Sequence, residues 1–146
     1  MRLTTNRPRI GALLFLPFAL ALGCNRPPAP PPPAALNYKD VIVTLELQPD
    51  GKLMPIPDFK KLKLSKNADD RAHWKYCGDG KLEIKMKQDG YMPFEGPFHE
   101  SETGNCKHVH STKISPSAVF NTPYPYTITV TAPNTKPNDP DIEIMQ

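Results

Sequence analysis

The chain has 146 residues, 38% of them hydrophobic and 23% charged, with 19 prolines and a formal net charge of +3. The whole excess sits in Arg2, Arg7 and Arg9; from Cys24 onward 15 Lys plus Arg balance 15 Asp plus Glu. A nucleic-acid footprint needs a basic excess or stripe, so no nucleic-acid partner is expected.

Residues 1–9 are basic and residues 10–23 almost purely apolar, interrupted only by Pro17. A basic start, a short apolar run and small residues before a break mark a secretory signal. Fourteen apolar residues are too few for a membrane-spanning helix, which needs about 20. Residues 1–23 are therefore expected to be a cleaved signal peptide.

The stretch Ala21-Leu22-Gly23-Cys24 resembles the lipobox of bacterial lipoproteins, with Ala21 where Leu is commoner. The resemblance implies lipidation of Cys24, three acyl chains and a membrane held as partner through that anchor. Two or more chains give durable anchoring where one gives marginal binding. By the same resemblance, Asn25 beside the anchor favours sorting to an outer membrane, facing the periplasm. Residues 24–36 then form a linker with six prolines between Pro27 and Pro33. Polyproline II rises about 3.1 Å per residue, so the tract holds a domain roughly 30 Å off the surface.

Residues 37–146 are enough for one domain with one core. Alternation, not helical periodicity, dominates them. Val41, Val43, Leu45 and Leu47 share one strand face, and Pro49-Asp50-Gly51 makes a turn. Residues 53–56 read as an edge strand, because Pro55 and Pro57 cannot donate to a central ladder. Residues 61–64 alternate again. Ala72, Trp74 and Tyr76 then share a face opposite His73, Lys75 and Cys77. Gly78-Asp79-Gly80 turns into residues 81–87, with Leu82, Ile84 and Met86 inward, and the pair reads as a hairpin.

Residues 88–105 read as a long loop that nevertheless carries Tyr91, Met92, Phe94 and Phe98. Loops of that length are often functional or internally packed. Strands are expected at 107–111, 117–120, 124–131 and 142–144. Seven or eight short strands with polar turns predict an all-β, two-sheet Greek-key sandwich. Trp74 precedes both later cysteines, which does not suit the immunoglobulin arrangement.

The order of segments instead resembles the cupredoxin-like fold. The matching stretches are residues 41–47, His73-Trp74-Lys75, 82–87 followed by Pro93-Phe94-Glu95, 124–130 and Asp139-Pro140-Asp141-Ile142. Type 1 copper needs two His, a thiolate and a weak axial Met. The family places the Cys, the second His and the Met in and after the penultimate strand. Here the loop after that strand, APNTKPNDP, holds none of them. No blue-copper site, and no electron transfer through one, is expected.

Cys77 and Cys106 form an even pair in a chain read as exported, where oxidation is the default. A disulfide is expected. The competing arrangement is a zinc site of Cys77, Cys106, His108 and His110, without the usual paired-cysteine spacing. His108 and His110 lie on one face if extended, within reach of a shared Cu²⁺ or Zn²⁺ that His99 or His73 would complete. The plainer reading is two solvated histidines beside Lys107 and Lys113. Tyr91, Phe94 and Phe98 form either a partner surface or an aromatic plug over the sandwich.

Nothing points to catalysis. No Gly-x-Ser-x-Gly elbow or phosphate-cradling glycine loop is present, and bridged cysteines supply no thiolate. The expectation is an envelope lipoprotein whose copper-free domain binds or scaffolds an envelope protein partner, with no cofactor. The alternative is a copper- or zinc-handling protein using His108 and His110.

Overall fold

A computed structural model describes residues 35–87 and 92–146. The expected signal peptide, Cys24, the expected linker up to residue 34 and Tyr91 lie outside the described residues. What is described is all β, with nine strands. They are β1 (Asn37–Leu47), β2 (Leu53–Pro57), β3 (Lys61–Ser65), β4 (Asp70–Cys77), β5 (Leu82–Met86), β6 (His99–Thr103), β7 (Cys106–His110), β8 (Pro123–Val130) and β9 (Asp141–Met145).

The strands form two mixed sheets, one ordered β2-β1-β4-β7-β6 and the other β3-β9-β8-β5. Pairs β1–β4 and β3–β9 run parallel; the others are antiparallel. Alternation along each strand sends one set of side chains into the space between the sheets. Val41, Val43, Ala72, Trp74, Tyr76 and Val109 come from the first sheet. Leu62, Leu64, Leu82, Tyr126, Ile128, Val130, Ile142 and Ile144 meet them from the second. Period-two patterning thus explains the sandwich directly.

Trp74 ties the layers together. Its ring is fully buried, lies 5.6 Å from that of Tyr126, and its Nε1–H donates to the Tyr126 hydroxyl at 3.2 Å. Burial pushes the Tyr126 phenol up to about 12, against the opposing effect of the Trp74 hydrogen bond.

Several sequence expectations need correction. The segments flanking Gly78-Asp79-Gly80 do not pair as a hairpin, because β4 and β5 belong to different sheets. The turn carries the chain across the sandwich, so both inward faces meet the same core from opposite sides. Residues 117–120 form turns, not a strand, and residues 99–103 of the expected loop form β6. Leu47 is 71% exposed, since β1 runs past the edge of the core. The two prolines of β2 do sit on an edge strand, as their missing N–H groups require.

Gly80 shows why the crossover needs glycine. Its φ is 101°, and a Cβ there would stand 2.5 Å from the Thr131 carbonyl oxygen. Gly80→Ala is expected to cost about 1–3 kcal/mol in urea unfolding, the range for a strained backbone position. A neutral substitution would show that the crossover relaxes freely.

Candidate functional site

The outward face of the five-stranded sheet gathers every histidine in the chain. Pairing places Asp40 opposite His73, His73 opposite His110, and His110 opposite His99. One row therefore crosses β1, β4, β7 and β6. One step along, His108 stands opposite Lys75 on β4 and Ser101 on β6. The cause is local. Trp74 and Val109 are buried, so their sequence neighbours must point to solvent.

The rings make a connected group. His73 Nδ1 lies 2.8 Å from Asp40 Oδ1, and His73 Nε2 lies 2.9 Å from His108 Nδ1. The His73 and His108 ring centres are 5.1 Å apart with planes 15° apart. That separation equals the hydrogen bond plus a ring radius at each end, so the rings meet edge to edge. His110 instead lies flat over His73, with centres 4.2 Å apart and planes 4° apart. Tyr38 closes the group, its ring edge-on to His110 at 5.3 Å.

Asp40 fixes the tautomers. An ionised carboxylate only accepts, so His73 Nδ1 carries a hydrogen and donates it. When His73 is neutral, its Nε2 accepts from His108 Nδ1–H, which leaves the His108 Nε2 lone pair free. Asp40 is 67% exposed, so this contact adds little stability. Its effect is orientation.

Burial, followed by the His73 charge, holds the His108 imidazole below the ordinary histidine value, with Lys75 adding and Asp40 opposing. Burial also leads for His110, followed by His73, His108 and His99, again against Asp40. Both shifts favour the neutral imidazole over the charged one. The His110 Nδ1 atom is buried and has no hydrogen-bond partner. Among the described residues no three His, Cys, Asp or Glu side chains already converge on one point as a metal centre.

Cys77 and Cys106 are joined as a disulfide across β4 and β7, directly opposite each other in register. The bridge staples the two strands that carry His73, His108 and His110. It also takes both sulfurs out of the zinc arrangement weighed against it, because a disulfide offers no thiolate.

Phe94 is 4% exposed and edge-on to Phe98, which packs against Trp74 at 5.4 Å. These two rings act as the plug, not as a recognition surface. Asp40, like Tyr38, is a member of the site that the sequence analysis missed. Its place opposite His73 follows from a parallel pairing between strands 33 residues apart. Compared with known proteins, the chain matches no family model and no curated protein.

Proposed function

We propose that the protein is a lipid-anchored envelope module that presents the outer face of its five-stranded sheet to a partner, without catalysis. The observation that carries this reading is the concentration of His73, His99, His108 and His110 on one solvent face. Surface residues are free to vary their chemistry. Three imidazoles in contact with one another, with an aspartate and a tyrosine against them and His99 on the adjoining strand, are a specific surface, not a generic polar one.

The placement rests on residues 1–36. The lipobox resemblance gives the anchor and the proline tract the reach. The Cys77–Cys106 bridge fits an oxidising compartment such as the periplasm. The cupredoxin-like resemblance belongs to this reading as a matter of strand order, with the blue-copper ligands missing from residues 132–140.

Affinity capture from an envelope extract tests the reading. Full-length protein, detergent-solubilised, is expected to retain a partner that the His73→Ala/His108→Ala/His110→Ala variant loses. Equal capture by both, or none by either, rejects a partner at this face.

A further inference from the structure

We propose that His73, His108 and His110 bind one divalent d-block cation, Cu²⁺ most tightly, with Asp40 as the residue that positions His73. The inference deepens the reading of this face as a binding surface by giving its ligand a chemical class.

Three features of the geometry carry it. First, His73 Nε2 and His108 Nδ1 stand 2.9 Å apart on adjacent strands. Two nitrogens each bonded to one ion at about 2.0–2.1 Å, at a right angle, stand roughly 2.9 Å apart, so the spacing suits neighbouring positions of a tetragonal cation. Second, the carboxylate of Asp40 accepts from His73 Nδ1 and so presents Nε2 as the bare nitrogen. A carboxylate behind a histidine is the usual way such a ligand is oriented and made more basic. Third, His110 lies 4.2 Å over His73 with a buried Nδ1 that no protein group satisfies. An orphaned buried nitrogen is costly unless something occupies it.

The three rings do not converge on one point: a hydrogen lies between His73 Nε2 and His108 Nδ1, and His110 is stacked flat on His73. Binding replaces that proton. The cation bonds His73 Nε2 and His108 Nδ1, and the hydrogen on His108 Nδ1 moves to His108 Nε2. The protein as a whole then loses no proton when the imidazoles start neutral. The His73 and His108 rings tilt so that their lone pairs leave the line between the nitrogens and meet on the ion. His110 turns to supply a third nitrogen. An all-nitrogen set favours Cu²⁺, then Zn²⁺, over the soft Cu⁺ that thiolates select. The disulfide enforces this by withholding both sulfurs on the same face.

The test uses full-length protein in detergent, without a histidine tag, titrated at neutral pH with Cu²⁺ and with Zn²⁺. Calorimetry is expected to give one ion per chain, with Cu²⁺ submicromolar and tighter than Zn²⁺. The Cu²⁺ spectrum in electron paramagnetic resonance is expected to show coordinated imidazole nitrogen. His108→Gln and His73→Gln are expected to weaken Cu²⁺ at least ~10-fold, and Asp40→Asn by about 10–100-fold, the usual effect of losing an orienting partner. Lys85→Ala, on the other sheet, is expected to leave affinity unchanged. All four substitutions lie outside the buried core, and circular dichroism verifies folding of each variant.

Absence of Cu²⁺ binding by folded wild-type protein overturns the proposal. So does full affinity in a folded His73→Gln/His108→Gln double variant. Metal binding that fails while partner capture still depends on these histidines overturns the cation alone. Metal binding that succeeds while capture is independent of them supports the cation and rejects partner presentation.

Discussion

Replacing Trp74 by alanine is expected to lower unfolding stability by about 3–5 kcal/mol, the largest effect of any single substitution considered. Trp74 is fully buried and touches both sheets, with Phe98 at 5.4 Å and Tyr126 at 5.6 Å. Truncation leaves a cavity that strands on both sides cannot close without breaking their ladders. It also removes the donor to the Tyr126 hydroxyl, which then stands in the core without that partner. Trp74→Phe separates the two effects by keeping a ring and losing the N–H, and is expected to cost less than Trp74→Ala. Trp74 is the chain's only tryptophan, so urea unfolding is followed by circular dichroism, not fluorescence. A cost below about 1.5 kcal/mol for Trp74→Ala contradicts the account of the core, because burial of a large aromatic accounts for more than that.

Breaking Cys77–Cys106 is the second large effect, expected at about 3–4 kcal/mol on the chain-entropy account for a separation of 29 residues. The Cys77→Ser/Cys106→Ser variant is expected to unfold at lower urea than the oxidised protein, and reductant to move the oxidised protein to the same midpoint. Cys77 is exposed, so reductant reaches the bridge without prior unfolding. The functional consequence is more specific than the loss of stability. The bridge spans β4 and β7, four residues along from the row that holds His73 and His110 and two from His108. Loosening it frees β7 and the β6 edge strand beyond it, and with them the spacing between His73 and His108. Unreduced protein that shows a free thiol at either position, or a reductant effect under about 1 kcal/mol, contradicts this role.

Alternation made much of the fold readable from the chain alone. In β1, β4, β5 and β8 the apolar positions recur every second residue, and this period is a property of the extended backbone itself. Trp74, Tyr76, Leu82, Ile84, Tyr126 and Ile128 are buried for that reason. Pro55 and Pro57 placed β2 at an edge through the donors they lack. The cysteine pair was readable because an even count in a chain read as exported leaves oxidation as the default.

β6 was missed for an equally physical reason. All five of its residues are exposed, so an edge strand overhanging the core leaves no apolar stripe to read. The signal that remained was Gly104-Asn105, a two-residue turn between β6 and β7 with Gly104 at φ 61°. Such a pair joins strands whatever their hydrophobicity.

Sequence alone determined the strand faces, the edge prolines and the even cysteine pair. Each of these is local or a matter of counting. Which strands become neighbours was decided only by tertiary structure, because a period of two says which way a side chain points and not what stands beside it. The turn at Gly78-Asp79-Gly80 was equally compatible with a hairpin and with a crossing between sheets; packing of both apolar faces onto one core decided for the crossing. The same holds for the histidines. His108-x-His110 was visible as a pair on one strand. Bringing His73 beside them and Asp40 behind His73 required two pairings between distant segments, one of them parallel.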